Sequence, residues 1–211
     1  MVRLDIFSDP ICPWCLIGKT LLDRALESRP AHPFAVEWHP FRLNPDMPRE
    51  GVDRAGYYAA KFGGTEQAAA VTARIETAAR HAGVEIELGR IPRVPDTTAA
   101  HCLIHWAGIE GVQGAAVSAL FRAYFRDGRD IGDPEVLADL AAETGMVRRV
   151  VARMLAQDTD REMIAERDAA AREMGVSGVP LFLVAGRHAV SGAQPVSLWQ
   201  QVIDELAERP A

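Results

Sequence analysis

Residues 9–19 read Asp-Pro-Ile-Cys-Pro-Trp-Cys-Leu-Ile-Gly-Lys, and this stretch decides the fold because two kinds of periodicity meet at it. Before it, Val2 to Phe7 alternates between apolar and polar residues, as a strand does. After Cys12, apolar residues recur at helical spacing until Pro30 ends the pattern. The sequence therefore predicts that Cys12 and Cys15 lie at the start of a helix that directly follows a strand.

The rest of the chain predicts a sheet interrupted by a helical middle. Phe34 to Leu43 is rich in aromatic and β-branched residues and indicates a second strand. Helical periodicities dominate from about residue 52 to residue 175, where we count five or six helices and little strand. Strand character returns at 179–184 and 188–190, and 195–208 forms an amphipathic helix. These patterns predict an α/β fold with a helical block between a βαβ half and a ββα half.

The composition of the 211-residue chain is that of an ordinary globular protein, with 48% hydrophobic and 25% charged residues. A formal net charge of -6 argues against nucleic acid as a partner, since nucleic-acid binding needs a basic surface. No stretch reaches the roughly 18 apolar residues that span a bilayer, and no signal-peptide pattern precedes the first strand, so we expect no membrane partner. Three cysteines do not make a disulfide framework, which predicts a cytoplasmic protein.

Two cysteines at this spacing have a direct chemical interpretation. Unpaired backbone N–H groups and the helix dipole favour negative charge at a helix N-terminus, and hence a thiolate at Cys12. Cys15 can reach the first sulfur and displace a partner bound to it. We therefore predict that Cys12 is the nucleophile and Cys15 the resolving thiol. Pro13 and Trp14 then shape the turn and tune the redox poise.

We expect the third cysteine and the paired histidines to have structural roles and not to bind metal. A Cys-x-x-Cys pair can be half of a zinc site, but the remaining cysteine, Cys102, lies in an apolar helical stretch and is expected to be a buried small hydrophobe. His101 and His105 have a helical spacing that can hold a metal, yet we expect them on a helix face near the core of the helical block. We expect no metal and no cofactor. Core positions are expected for Trp38, Trp106 and Trp199.

Residues 9–19 resemble the active-site signature of the DsbA family, most closely that of its cytoplasmic FrnE-like branch. The resemblance spans essentially the whole chain. It implies a thioredoxin fold and a function in making, breaking or reshuffling disulfides. The further matching stretches are residues 40–45, 120–125, 175–180 and 190–194.

Together with the periodicities, the resemblance implies a thioredoxin fold with a large all-helical insertion between the βαβ and ββα halves. We expect residues 1–48 and 176–211 to form the thioredoxin-fold domain. Residues 49–175 are expected to form the helical insertion domain.

The resemblance also gives a meaning to Gly-Val-Pro at residues 178–180, which opens a strand far along the chain from the cysteines. In thioredoxin folds a proline at this place is cis and lies against the disulfide, and the backbone of the preceding residue pairs with a substrate peptide. Only about one X–Pro bond in twenty is cis, so the sequence Val-Pro alone favours trans. Because it accompanies Cys-Pro-Trp-Cys, we predict a cis Val179–Pro180 bond packed against the Cys12–Cys15 pair, with both residues shaping the substrate site.

The implied function is that of a thiol–disulfide oxidoreductase or isomerase acting through mixed disulfides. Its partners are expected to be proteins or small molecules that carry a thiol or a disulfide, glutathione included, while the oligomeric state is left open. The same superfamily holds glutathione-dependent 2-hydroxychromene-2-carboxylate isomerases and kappa-class glutathione transferases, which typically carry serine at the position of Cys12. A non-catalytic peptide-binding or chaperone module is a third alternative. Retention of both Cys12 and Cys15 favours the oxidoreductase.

The sequence departs from the resemblance at one position. Thioredoxin and DsbA proteins often carry a buried carboxylate six residues before the first cysteine, and this chain has Ile6 there. Asp5 is its neighbour and points to the opposite face of the strand. Glu37 and His39 are candidates to replace the carboxylate, and both are equally plausible as surface residues. The acceptor of the Cys15 proton is therefore unassigned.

Overall fold

The N-terminal strand and the helix that carries the cysteines form where the two periodicities meet. In the computed structural model, which describes residues 1–208, strand β1 spans Val2–Ser8 and helix α1 spans Pro13–Ser28. Pro13 suits the first position of α1 because its φ is already helical and its missing N–H would have had no partner there. The expected thioredoxin-fold domain runs to residue 211, so residues 209–211 of that prediction lie outside the described residues.

Four strands form one mixed sheet in the order β2-β1-β5-β6. Strand β2 (Phe34–Pro40) runs parallel to β1, and β5 (Leu181–Val184) runs antiparallel to β1 on its other side. Strand β6 (His188–Ser191) pairs with β5, and helix α9 (Val196–Glu208) follows it. The βαβ and ββα halves therefore meet in a single sheet, as the sequence predicts.

Strand β2 ends at Pro40, three residues before the predicted end, because the chain beyond it bonds to side chains. The N–H of Arg42 donates to the Asp168 carboxylate at 2.9 Å, and the N–H of Leu43 donates to the Asp9 carboxylate at 2.7 Å. These bonds replace the regular strand pairing, which ends at Ser8 and Pro40.

The block between β2 and β5 holds seven α-helices within residues 1–208, more than the five or six predicted. Two of them, α2 and α7, have nine residues each and contribute little to the core, since α2 contains no buried residue and α7 buries only Val151. The seven are α2 (Arg54–Phe62), α3 (Thr65–His81), α4 (Thr98–Ile109), α5 (Gln113–Phe121), α6 (Pro134–Glu143), α7 (Arg148–Ala156) and α8 (Arg161–Glu173).

The prediction that this block is all-helical was wrong in one detail. Strand β3 (Val52–Asp53) pairs antiparallel with β4 (Arg93–Val94). Two residues are too few to show alternation in a sequence, and the ribbon is held by contacts with distant residues. For example, the Tyr124 hydroxyl donates to the Arg93 carbonyl at 3.1 Å.

Helices α1 and α9 cover the sheet face that carries Phe182. The rings of Phe182 and Trp199 lie 4.8 Å apart, and α1 approaches closely at Gly18. A Cβ atom at Gly18 would lie 3.1 Å from Pro180 Cγ, so the missing side chain lets α1 reach the loop before β5. The expected core positions of Trp38, Trp106 and Trp199 are confirmed, since all three are buried. No helix within the described part of the chain has the length and hydropathy to cross a membrane.

Candidate active site

Cys12 is the N-cap residue of α1, which confirms the predicted place of the motif at the mouth of a helix. Its carbonyl accepts the N–H of Cys15 at 3.0 Å, and its own N–H donates to the carbonyl of Asp9 at 2.9 Å. Its sulfur lies 3.7 Å from the carbonyl oxygen of Val179. Cys12 is 4% exposed. Pro13 has no N–H and the N–H of Cys15 is bonded to the Cys12 carbonyl, so the first turn offers the N–H of Trp14 and the helix dipole to negative charge on this sulfur.

Cys15 lies one helical turn further and is also buried. Burial raises the pKa of the Cys15 thiol well above its ordinary value, and the neighbouring Cys12 thiol, within hydrogen-bond reach, raises it further. The Ser8 hydroxyl and the backbone N–H of Asp9 oppose this effect as hydrogen-bond partners. Cys12 and Cys15 are both free thiols. Cys15 therefore holds its proton at neutral pH and has to lose it before it can attack.

The loop before β5 closes one side of the motif. The Val179–Pro180 peptide bond is cis, so this part of the sequence prediction is confirmed. Val179 presents its carbonyl to the Cys12 sulfur, while the carbonyl of Pro180 accepts the N–H of Gly192 at 2.8 Å. The contact of the Pro180 ring with both sulfurs stays a prediction.

A cavity of about 300 Å³ opens on the outer side of the motif. Cys12, Pro13 and Trp14 form one wall, and aromatic side chains of α2 form the facing wall. Pro13 is buried, whereas Trp14 is 40% exposed although it is a large apolar side chain. The motif is therefore reached from the cavity, with Trp14 at its edge.

The inner side of the motif holds a buried acid that the sequence reasoning missed. Asp9 is 0% exposed, and its carboxylate accepts the N–H of Leu43 at 2.7 Å and that of Ile11 at 3.2 Å. Burial raises the pKa of Asp9 to about 7, against these lowering bonds. In a sequence, an aspartate before proline is ordinarily a turn residue, so no local signal marked Asp9 as buried.

His101 of α4 faces Asp9. It is 2% exposed, and its Nε2 atom lies 4.0 Å from Asp9 Oδ1 and has no hydrogen-bond partner. Burial lowers the pKa of His101 to about 4. The expectation that His101 lies near the core of the helical block is confirmed. The approach of His101 to Asp9, which lies three residues before Cys12, was not predicted from the sequence.

The two candidates for a proton acceptor lie away from Cys15. His39 Nε2 is 2.7 Å from the Asp5 carboxylate, which Arg3 also contacts at 2.8 Å. Asp5 and Glu37 are paired in register, and strand alternation places them on the sheet face opposite to Ile6 and α1. The acceptor stays unassigned.

Two groups could in principle hold a metal. Asp5, Glu37 and His39 have ligand atoms within 4.8 Å of one another, but Arg3 already pairs with one Asp5 oxygen. His105 Nδ1 lies 3.4 Å from Arg167, whereas His101 faces Asp9, so these two histidines have different neighbours.

Cys102 lies inside α4 and is 1% exposed, which confirms the expectation of a buried thiol. Burial raises its pKa to about 12. This thiol is therefore protonated at any physiological pH.

Comparison with known proteins agrees with the fold. A family model described as a DSBA-like thioredoxin domain matches residues 3–204. A probable DsbA oxidoreductase from Streptomyces coelicolor, SCO1869, is 28% identical, with a TM-score of 0.86 over 100% of this chain and 92% of that chain.

Two more distant solved structures share the fold. A 2-hydroxychromene-2-carboxylate isomerase is 15% identical, with a TM-score of 0.74 over 98% of this chain and 96% of that chain. The cytosolic disulfide reductase DsbM from Pseudomonas aeruginosa, solved with GSH, is 20% identical, with a TM-score of 0.71 over 98% of this chain and 100% of that chain.

Proposed function

The chain belongs to the DSBA-like thioredoxin domain family, and from that premise we propose that it is a thiol–disulfide oxidoreductase or isomerase that works through Cys12 and Cys15. One observation carries the proposal. Two free thiols lie within hydrogen-bond reach at the start of α1, and the pKa of the inner thiol, Cys15, is raised well above its ordinary value. A protonated inner thiol supports the assignment of Cys15 as the resolving sulfur and of Cys12, at the start of the helix, as the attacking one.

The exchange has two steps. The Cys12 thiolate attacks one sulfur of a substrate disulfide, a mixed disulfide forms, and the other half of the substrate leaves as a thiolate. Cys15 then loses its proton and attacks the Cys12 sulfur, so that the second half leaves and a Cys12–Cys15 disulfide remains. The substrate has gained two electrons and the protein has lost two. The same steps in reverse oxidise a dithiol substrate.

The neighbouring residues position the substrate in this proposal. The Val179 carbonyl lies beside the reacting sulfur, where an extended peptide could pair with the backbone. Pro180 has no N–H and so offers no competing donor. Pro13 fixes the start of α1, and Trp14 lines the approach.

We propose that the partners are proteins or small molecules with a thiol or disulfide, and that glutathione is among them. The likeness to DsbM, a cytosolic disulfide reductase solved with GSH, supports both glutathione and a cytoplasmic location. We also propose that the chain belongs to the FrnE-like branch of the DsbA family, which its motif and flanking residues resemble. The glutathione-dependent isomerase alternative is disfavoured because Cys15 has no role in it.

Trapping with a resolving-thiol variant tests the proposal. Reduced Cys15→Ser protein is mixed with glutathione disulfide, and its intact mass and digested peptides are measured. We expect one glutathionyl adduct on Cys12 that persists, because the resolving attack is lost. The Cys102→Ser protein is the matched control and should return to an adduct-free form. A Cys15→Ser protein that forms no adduct, or carries it on Cys102, would contradict the assignment.

A further inference from the structure

One wall of the cavity beside Cys12 is aromatic. Tyr57, Tyr58 and Phe62 lie on α2, and none of them is fully buried. Successive rings meet edge to face, at 5.8 Å between Tyr57 and Tyr58 and at 5.4 Å between Tyr58 and Phe62. Such contacts hold the rings in fixed positions. Half-exposed aromatic side chains that face a cavity are typical of ligand sites.

The size of the cavity limits what can enter it. Its volume of about 300 Å³ is at the lower end of the range for small-molecule sites. Cys12 lies at one end of the cavity. A bound molecule can therefore bring a sulfur next to Cys12 only if that sulfur is attached at the end of the molecule's apolar portion. A folded protein domain is excluded by this volume, whereas one aromatic thiol fits.

The charged residues at the cavity favour a ligand with a negative charge. None of the lining residues in the described part of the chain carries a carboxylate, although the whole chain has a net charge of -6. Lys61 is exposed at the rim, and its Nζ atom donates to the Tyr57 hydroxyl at 2.7 Å. The Tyr57 hydroxyl in turn donates to Asn44 Oδ1. The ammonium group is thus held at the mouth by a neutral partner, and its charge is left for a ligand.

We propose that this cavity binds one half of a low-molecular-weight disulfide, namely an aromatic thiol that carries a carboxylate. The proposal rests on the thiol–disulfide exchange proposed above and names its substrate class. The aromatic ring lies against Tyr58 and Phe62, and the carboxylate meets Lys61 at the rim. The Cys12 thiolate attacks the sulfur of this half, and the other half leaves as a thiolate. Cys15 then releases the bound half as a second thiolate, and the two electrons come from the Cys12–Cys15 dithiol.

Single-turnover kinetics test this substrate class. Fully reduced protein is mixed with one of three disulfides: the anionic aromatic dithiobis(nitrobenzoate), the neutral aromatic dithiodipyridine and the neutral aliphatic hydroxyethyl disulfide. Each rate is divided by the rate of the same disulfide with free mercaptoethanol, which removes intrinsic reactivity. We expect the normalised rate to fall in that order, with about tenfold between the first and the last, as apolar pocket contacts typically give.

Two variants separate the ring contact from the charge contact. Lys61→Met should lower the ratio of the anionic to the neutral aromatic rate several-fold, and added salt should lower the same ratio in the parent protein. Arg187→Met is the matched control because Arg187 is exposed on the turn between β5 and β6, away from the cavity. Tyr58→Leu should lower both aromatic rates relative to hydroxyethyl disulfide, with far-UV circular dichroism to show that the fold persists.

The outcomes distinguish this inference from the proposed function. If all three disulfides react at equal normalised rates, and Lys61→Met behaves like Arg187→Met, the cavity has no such selectivity and the inference is overturned. If the reduced protein reacts with none of them faster than mercaptoethanol does, the exchange activity itself fails. The expected order with a Lys61-dependent ratio supports both.

Discussion

The Cys12–Cys15 turn and the middle of α4 both bury thiols but give them different surroundings. Cys12 is 4% exposed and Cys102 is 1% exposed, so exposure hardly separates them. Cys12 is the N-cap residue of α1, at the positive end of the helix dipole, and it lines a cavity. Cys102 lies within α4, where the N–H groups are bonded inside the helix, and its pKa is raised to about 12. Position along a helix, more than exposure, therefore distinguishes Cys12, the proposed nucleophile, from Cys102.

The largest expected effect comes from removing the thiol at the helix start. Cys12→Ser should lose disulfide exchange down to the background rate, because no other thiol in the chain lies at a helix N-terminus beside the cavity. The assay is the reduction of glutathione disulfide or of a disulfide peptide, with dithiothreitol as the terminal reductant. If disulfide exchange persisted in Cys12→Ser, the proposed difference between Cys12 at the start of α1 and Cys102 inside α4 would be wrong.

Alkylation compares the two regions within one unmodified protein. At neutral pH, iodoacetamide should modify Cys12 at least about a thousandfold faster than Cys102, because a thiol with a pKa of about 12 is almost entirely protonated. Peptide mass spectrometry over a time course gives both rates. Comparable labelling of Cys102 in the folded protein would show that α4 does not protect its thiol.

The third prediction concerns Asp9, which lies just before the Cys12–Cys15 turn, and His101 of α4, which faces it. The folded pKa of Asp9, about 7, lies above its ordinary value, so its contribution stabilises the fold at low pH and is lost as pH rises from about 4 to about 7. The folded pKa of His101, about 4, lies below its ordinary value, so its contribution is present above about 6.5 and is lost as pH falls towards 4. The two contributions oppose each other between these values.

Single variants should therefore expose opposite pH dependences. In His101→Gln, the free energy of unfolding should fall by about 1 kcal/mol per pH unit between pH 4 and 7, since only the Asp9 contribution remains. In Asp9→Asn, it should rise with pH over most of the same range. Urea unfolding at several pH values, with the parent protein as reference, measures both slopes. Equal slopes in the two variants would contradict the burial of this pair.

The charges around the pair affect the size of these slopes. Asp168 of α8 raises the pKa of both groups, and Asp96 raises that of His101. Arg42 lowers the pKa of His101, and a side-chain hydrogen bond from Thr97 lowers that of Asp9. These neighbours are present in both variants, so the opposite signs should survive them.

Local patterns predicted what lies close along the chain. The alternation of Val2 to Phe7 and the helical spacing after Cys12 placed the motif at the first turn of α1, and the return of strand character near Val179 placed the second half of the sheet. Both depend on a few neighbouring residues, so a single sequence contains them. The cis Val179–Pro180 bond was predicted only because it accompanies the motif.

Contacts between distant segments could not be predicted in the same way. Asp9 and His101 approach each other across 92 residues of chain, as their numbers show, and although the apolar stretch around His101 indicates a core position, nothing in the sequence indicates that the two residues are neighbours. The aromatic residues of α2 form a cavity wall because distant segments meet there: β3 and β4 pair at the start of α2, and the Tyr57 hydroxyl donates to Asn44. Sequence periodicity describes one element at a time and does not give the pairing between elements.

The smallest effect is expected at Cys102. Cys102→Ala should leave the exchange rate within about twofold and lower the free energy of unfolding by about 1 kcal/mol, a typical cost for a buried substitution. The exchange assay used for Cys12→Ser and a urea unfolding curve provide the two measurements. A Cys102→Ala protein that is folded but inactive would place a third thiol in the cycle.

A redox titration tests the central claim most directly. The protein is equilibrated at a series of ratios of reduced to oxidised glutathione, and its free thiols are then alkylated. Peptide mass spectrometry measures the alkylated fraction of each cysteine at each ratio. We predict one reversible two-electron transition in which Cys12 and Cys15 become protected together while Cys102 stays a free thiol at every ratio. A transition that includes Cys102, or the absence of a Cys12–Cys15 disulfide at every ratio, would contradict the account.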